Sequence, residues 1–135
     1  MTTEQIVIVL TMERTFLKAG AILGFIAVGA GAVASHGLSK RISTEAISIF
    51  ELAVRYEMYH ALTLIGVGLL SAKSVTLPIK CAGWLMIGGT IIFCGALYAL
   101  SLSGQQWWGT LTPVGGIALM AGWGCLIWAV CSTKL

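Results

Sequence analysis

Four long apolar stretches, separated by short polar or turn-forming segments, dominate the pattern of hydrophobic positions along the chain. They run approximately over residues 16–38, 53–72, 81–103 and 111–131. Each is close to the roughly 20 residues that a helix needs to cross the hydrocarbon core of a bilayer. The pattern therefore predicts an all-α, integral membrane four-helix bundle. Residues 12–135 are expected to form a single membrane domain that follows an N-terminal extension over residues 1–11.

A shorter segment between the first two stretches has a different pattern. This segment covers residues 39–52. Apolar side chains recur in it at helical spacing, namely Ala46, Ile49 and Phe50, and Ala53 continues the series. Glu45, Ser48 and Glu51 lie on the opposite face of such a helix. This pattern is typical of an amphipathic helix on a membrane surface. We expect a short outer amphipathic segment here, and a water-exposed extension of the second span fits the pattern equally well.

Composition and charge support a membrane location. Of the 135 residues, 58% are hydrophobic and 10% are charged, whereas about a quarter of the residues in a soluble domain are charged. The net charge is +3, but the basic residues are scattered, so nucleic acid is not expected as a partner. The partner that this composition implies is the lipid bilayer.

The basic residues also predict an orientation. An even number of spans places Arg14, Lys18, Lys73, Lys80 and Lys134 on one side of the membrane. Lys40 and Arg41, and Arg55 near the interface, fall on the other side. Because basic loops face the cytoplasm, we expect a multi-pass protein with both termini in the cytoplasm.

Small residues recur along the spans at intervals of three, four or seven positions. The members of this seam are Gly20, Gly24 and Gly31 in the first span, Gly89 in the third, and Gly115, Ala118 and Gly122 in the fourth. In lipid, small residues let helix backbones approach closely where the hydrophobic effect does not drive association. The seam predicts close, nearly antiparallel packing of the helices.

The segment "AVRYEMYHAL" (53–62) brings polar side chains into the beginning of the second span. At helical spacing, Tyr56, Glu57, His60 and Thr63 share one face. A charged group at the centre of a bilayer costs about 2.5–3.5 kcal/mol, so this face should look into the bundle. His36, at the end of the first span, is expected at the same outer depth. The pattern thus predicts a polar cluster of these five residues in the outer leaflet.

Four functions are compatible with such a cluster. It could be a structural hydrogen-bond network, a docking surface for a larger membrane complex, or a pathway for protons or small solutes, since Glu and His relay protons. It could also hold a metal or haem, because Glu-x-x-His places two ligands on one helical face. His36, Glu57 and His60 are only weak metal candidates, and they do not make a complete ligand set. We therefore predict no metal site and no cofactor.

Catalytic motifs do not accompany the cluster. The sequence has no nucleophile elbow, phosphate loop or zinc signature, and its four cysteines form no C-x-x-C. We expect a protein that is not an enzyme, with a structural or accessory role in a larger membrane complex or in a homo-oligomer. The alternative is a binding or transport module for a small molecule, proton, metal or haem.

Four blocks of the chain resemble the DUF423 family of small membrane proteins, which is related to the eukaryotic transmembrane protein 256 group. The blocks are "AVASHGL" (32–38), "AVRYEMYHAL" (53–62), "FCGALYALSLSG" (93–104) and "LTPVGGIALMAGW" (111–123). The resemblance extends from about Met12 to Val130 and implies a four-helix protein of the bacterial inner membrane; it implies no activity. The motif residues fall on His36, Tyr56, His60, Tyr98, Pro113, Gly115, Gly116 and Trp123.

Position 57 departs from the family pattern. Proteins of this family usually have Gln where this chain has Glu57. A neutral amide would still form hydrogen bonds but could not carry a proton. The resemblance therefore favours a polar network or a binding pocket over a proton relay.

Overall fold

A computed structural model describes residues 2–132 of the chain. Four long helices account for most of these residues: α1 (Thr3–His36), α2 (Thr44–Lys73), α3 (Leu77–Ser103) and α4 (Thr112–Ser132). Short 3-10 helices occur at Leu38–Lys40 and Gln106–Thr110. The described part of the chain contains no strand. The prediction of an all-α membrane bundle is confirmed.

Three helical segments are long and apolar enough to cross a membrane, namely Thr3–Lys40, Leu77–Ser103 and Gln106–Ser132. The helix missing from this group is α2, although its 30 residues exceed the length that a span requires. Its polarity sets it apart, because α2 carries the charged and polar side chains of the predicted cluster. The fold compensates by placing α2 between α1 and α3.

Helix α2 begins earlier than the apolar pattern alone indicates. Ser43 is its N-cap, and the Ser43 hydroxyl accepts a hydrogen bond from the Ala46 backbone N–H at 3.1 Å. Residues 44–52 are therefore the first turns of α2. Of the two alternatives for this segment, the structure has the extension of the second span and not a separate amphipathic helix. In the same way, Thr2 caps α1, and residues 3–11 are continuous with that helix.

The helices follow one another in antiparallel order, each against its neighbour in the chain. The backbones of α1 and α4 stay apart throughout residues 2–132. Helices α2 and α4 both flank α3, and they meet through side chains while their backbones stay apart. The result is an open arrangement with α2 and α3 at its centre.

Glycines of the predicted seam lie where two helices come closest. Gly20 faces the Ala61 carbonyl and Ile65 of α2, so a methyl group added there would lie 2.7 Å from the carbonyl oxygen. Gly115 lies against the backbone of Phe93, and Gly122 lies against Met86. Three other seam residues are less tightly enclosed: Gly24 and Gly31 have room for a methyl group, and Ala118 is half-buried.

Two apolar clusters fill the space between the helices. The larger one joins α1, α2, α3 and α4 through Phe16, Leu64, Val67, Ile79, Met86 and Ala129. The smaller one joins α2 and α3 through Ala53, Cys94 and Leu97. It lies next to the polar residues of α2, so it supports the site described below.

Adjacent glycines on α3 give a direct test of the seam. A methyl group on Gly89 would lie 2.9 Å from the Leu119 side chain and 3.0 Å from its backbone nitrogen, whereas one on Gly88 meets no atom within 4 Å. We expect Gly89→Ala to lower the free energy of unfolding by about 1–3 kcal/mol through overpacking. Gly88→Ala should raise it by up to about 1 kcal/mol, because Ala favours the helix. Unfolding measured in micelles or bicelles checks both, and equal effects would contradict this role of the seam.

Candidate functional site

The polar face of α2 contacts two different helices. Of the four α2 residues predicted to share this face, Glu57 and His60 are the most buried, with 4% and 5% of their surfaces exposed. Glu57 points towards α3, and His60 points towards α4. The face therefore makes one polar contact with each neighbour instead of forming a single cluster.

The contact with α3 is a hydrogen bond between two side chains. The Tyr98 hydroxyl donates to Oε2 of Glu57 at 2.6 Å, within the ordinary range for an O–H···O bond. The Phe50 ring packs against the Tyr98 ring with centroids 4.8 Å apart, which holds the phenol in place. The bond links α2 to α3 and satisfies a buried carboxyl group without water.

The contact with α4 passes through both ring nitrogens of His60. Nδ1 lies 2.7 Å from the Tyr56 carbonyl oxygen, and the Trp123 indole N–H donates to Nε2 at 3.3 Å. A carbonyl needs a donor and an indole N–H needs an acceptor. Both bonds form together only when the imidazole is neutral and carries its proton on Nδ1. This assignment follows from the geometry of the partners.

A groove runs beside this pair, between α2 and α4. It has a volume of about 330 Å³, and it is lined by Tyr56, His60, Phe93, Gly116, Leu119, Met120 and Trp123. Phe93 belongs to α3 and forms its floor, where the Tyr56 and Phe93 rings are 5.0 Å apart. We call this feature the lateral groove.

Two of the predicted cluster residues do not join these contacts. The Thr63 hydroxyl donates to the Tyr59 carbonyl of its own helix at 2.8 Å. His36 is the last residue of α1 and is exposed. The predicted grouping of His36 with His60 was wrong. Gly24, not His36, lies next to Ala61 beside His60, and His36 is twelve residues further along α1, or about 18 Å of helix rise.

The contact between His60 and Trp123 lies far from the ends of both helices. His60 lies sixteen residues after Thr44 and thirteen before Lys73, and its partner Trp123 lies eleven residues after the start of α4 and nine before its end. The contact is therefore near the middle of both helices. The cause is the early start of α2, which moves its midpoint towards His60.

Metal-binding chemistry finds no support in the geometry. Within residues 2–132, no three His, Cys, Asp or Glu side chains come together. Of the weak candidates, His36 is remote, and Glu57 and His60 are engaged with different helices.

The core contains a further buried polar residue that the sequence pattern did not predict. Thr90 of α3 is 0% exposed, and its hydroxyl has no hydrogen-bond partner among the described residues. Nothing in the sequence distinguishes it from the Thr residues whose hydroxyls bond to their own helix. Burying such a group without a partner is costly.

Several motif residues of the resemblance meet at this site. Tyr56, His60 and Trp123 form the contact with α4, Tyr98 forms the contact with α3, and Gly116 lines the lateral groove. Gly115 packs against the backbone of Phe93, whereas His36 and Pro113 are exposed at helix ends and take no part.

Comparisons with known proteins identify relatives of this chain. Residues 30–116 match the model of a family described as protein of unknown function (DUF423). A UPF0382 membrane protein of Staphylococcus aureus (strain bovine RF122) is 40% identical over 114 residues, which cover 84% of this chain and 93% of that protein. The UPF0382 membrane protein YwdK of Bacillus subtilis (strain 168) is 39% identical over 111 residues, covering 82% and 90%. No solved structure matches the chain.

The Glu57–Tyr98 bond predicts a contrast between two substitutions. Glu57→Gln keeps an oxygen that accepts from the Tyr98 hydroxyl, so stability should change by less than about 1 kcal/mol. Glu57→Leu leaves that hydroxyl without a partner and should cost about 1–3 kcal/mol. The measurement is the free energy of unfolding of both variants in bicelles. A loss for Gln as large as that for Leu would show that the charge, not the hydrogen bond, stabilises the contact.

The unpaired Thr90 hydroxyl predicts a stabilising substitution. Thr90→Val keeps the shape of the side chain and removes a buried polar group, so we expect the free energy of unfolding to rise by about 1 kcal/mol or more. Thr63→Val is the control, because the Thr63 hydroxyl already has a partner in Tyr59. That variant should be neutral or slightly destabilising. A clear loss of stability in Thr90→Val would mean that the hydroxyl has a partner, such as a bound water.

Proposed function

We propose, from the premise that this chain belongs to the DUF423 family, that it is a non-catalytic accessory protein of a larger complex in the bacterial cytoplasmic membrane. In this role its polar side chains at mid-height hold the bundle in one conformation. Its outer helix faces provide the surface for the partner protein.

The observation that carries this proposal is the internal pairing of the buried polar groups. Glu57 is bonded by Tyr98, and the two nitrogens of His60 are bonded to Tyr56 and Trp123. A general acid, base or proton carrier needs a proton site that can reach a reacting group. Here each buried ionisable group is directed at another helix, which is the arrangement of a structural network.

The outer faces of the helices support the second half of the proposal. Phe25 of α1 is 82% exposed, and Ile117 and Met120 of α4 are also well exposed. With α1 and α4 on the flanks, much of the apolar surface of this small bundle is available to other membrane helices. Such helices associate by shape and close packing and do not need a charged or polar interface.

The charge distribution supports an orientation. Arg14 and Lys18 lie in the first half of α1, and Lys73 and Lys80 lie at the connection from α2 to α3, so these four residues share one half of the antiparallel bundle. Lys40 and Arg41 lie between α1 and α2, at the other end. Because positive charge is enriched on the cytoplasmic side, we place both termini there.

Photocrosslinking in the native membrane tests the accessory role. A benzophenone amino acid is introduced at Phe25 of α1, Ile91 of α3 or Ile117 of α4, three exposed positions on different helices. If the protein docks on a partner through one face, one position should give a discrete adduct of higher mass and the others should react with lipid. The adduct should disappear when the membrane is first dissolved in a denaturing detergent.

Two results would count against this role. If no position gives a discrete adduct, the protein has no stable partner at these three faces. If the adduct has twice the mass of the chain and contains only this protein, a homo-oligomer replaces the larger complex. Mass spectrometry of the adduct distinguishes the second result from capture of another protein.

A further inference from the structure

The size of the lateral groove suits part of a small molecule. Its volume of about 330 Å³ lies at the lower end of the range for ligand pockets, about 300–1,000 Å³. A single substituted ring fills such a space, and any attached chain would extend outside it. The groove is also at mid-height, where the surroundings of the protein are hydrocarbon and not water.

The lining of the groove favours an uncharged occupant. None of its seven residues is Asp, Glu, Lys or Arg. His60 also lines the groove, and both of its ring nitrogens already have hydrogen-bond partners. Its imidazole is neutral when Nδ1 bonds the Tyr56 carbonyl and Nε2 bonds the Trp123 indole at the same time. A charged ligand would find no opposite charge there, and its desolvation would be costly.

One polar group on the wall still needs a partner. The Tyr56 hydroxyl makes no hydrogen bond with any group in residues 2–132, and the residue is exposed, so this hydroxyl is free to bond a molecule in the groove. Tyrosine combines an apolar ring with a polar hydroxyl, so it suits a binding surface that must contact a ring and bond an oxygen. An oxygen on a ligand in the groove would accept this bond.

The walls also favour a flat ring. The Tyr56 and Phe93 rings are tilted by 31° with centroids 5.0 Å apart, and the Trp123 indole lies on the opposite side of the groove from Tyr56, on α4. Aromatic side chains stack on planar rings in offset or edge-on arrangements. Met120, which is 76% exposed, lies at the outer rim, where its flexible side chain can adapt to an entering molecule.

We propose that the lateral groove binds a neutral, membrane-soluble molecule with a planar ring that carries a hydrogen-bond-accepting oxygen, the chemical class of the lipid-phase quinones. The ring packs against the side chains of Tyr56, Phe93 and Trp123, and its oxygen accepts the hydrogen bond of the Tyr56 hydroxyl. The molecule enters sideways from the bilayer, past Met120. This site goes beyond the accessory role and does not depend on it.

A quinone with a short alkyl chain, decyl-benzoquinone, tests the proposal. The protein is reconstituted in nanodiscs, and quenching of its tryptophan fluorescence is followed as the probe is added, with protein-free nanodiscs used to measure partitioning into lipid. Because Trp123 lines the groove, binding should add a saturable component to the linear quenching caused by probe dissolved in the lipid.

Two glycines on α4 provide matched variants. Gly116→Leu places a side chain in the groove, and the first added carbon has room there because the nearest atom of the Phe93 ring is 3.7 Å away. Gly124→Leu makes the same substitution on the same helix where no atom lies within 4 Å. The saturable component should be lost in Gly116→Leu and retained in Gly124→Leu. Circular dichroism and thermal unfolding establish that both variants fold.

A third variant tests the hydrogen bond independently of the space. Tyr56→Phe keeps the aromatic wall and removes the hydroxyl, so affinity should fall about 5- to 10-fold, the effect of one neutral hydrogen bond. Purely linear quenching of the native protein, or saturation that Gly116→Leu leaves unchanged, would overturn the proposal. Unchanged affinity in Tyr56→Phe would overturn the assignment of the ligand oxygen to Tyr56.

Discussion

The absence of water from the hydrocarbon core is the constraint on which the rest of this structure depends. A polar side chain at that depth must find its hydrogen-bond partner within the protein. Helix α2 carries Glu57 and His60 near its midpoint, so it cannot face lipid on that side. In the bundle α2 lies between α1 and α3. Tyr98 forms a hydrogen bond with Glu57, and Trp123 forms one with His60.

Such bonds require helices that are held at a fixed and short separation. In lipid the hydrophobic effect does little to hold helices together, because an apolar side chain that leaves the bundle enters surroundings that are just as apolar. Glycine supplies it instead, because Gly20 brings α1 against α2, and Gly89 and Gly115 bring α4 against α3. The polar pairs and the glycine contacts therefore depend on each other. Without close backbones the side chains would not reach, and without the pairs α2 would be too polar for its place.

Periodicity predicts the helices, the small-residue faces and the inward side of α2, because each of these depends on the spacing of residues within one helix. It does not predict depth, since the polar cap at Ser43 starts α2 well before its apolar part. That is why His36 and His60 were expected together and are not. The partners Tyr98 and Trp123 lie in otherwise apolar spans. The spacing of residues there does not show whether the hydroxyl or the indole N–H of an aromatic residue forms a hydrogen bond. Only the family resemblance pointed to them.

The same packing explains why a groove exists at all in so small a bundle. Helix α4 is held to α3 by glycine contacts at Gly89 and Gly115, and α2 is held to α3 by the apolar cluster around Ala53. With both helices fixed to a common neighbour, they cannot also close on each other, and only long side chains such as Trp123 cross the gap. The space that remains is a consequence of tight packing elsewhere. Its shape should therefore be the same whether or not a molecule occupies it, which is the preorganisation that favours binding.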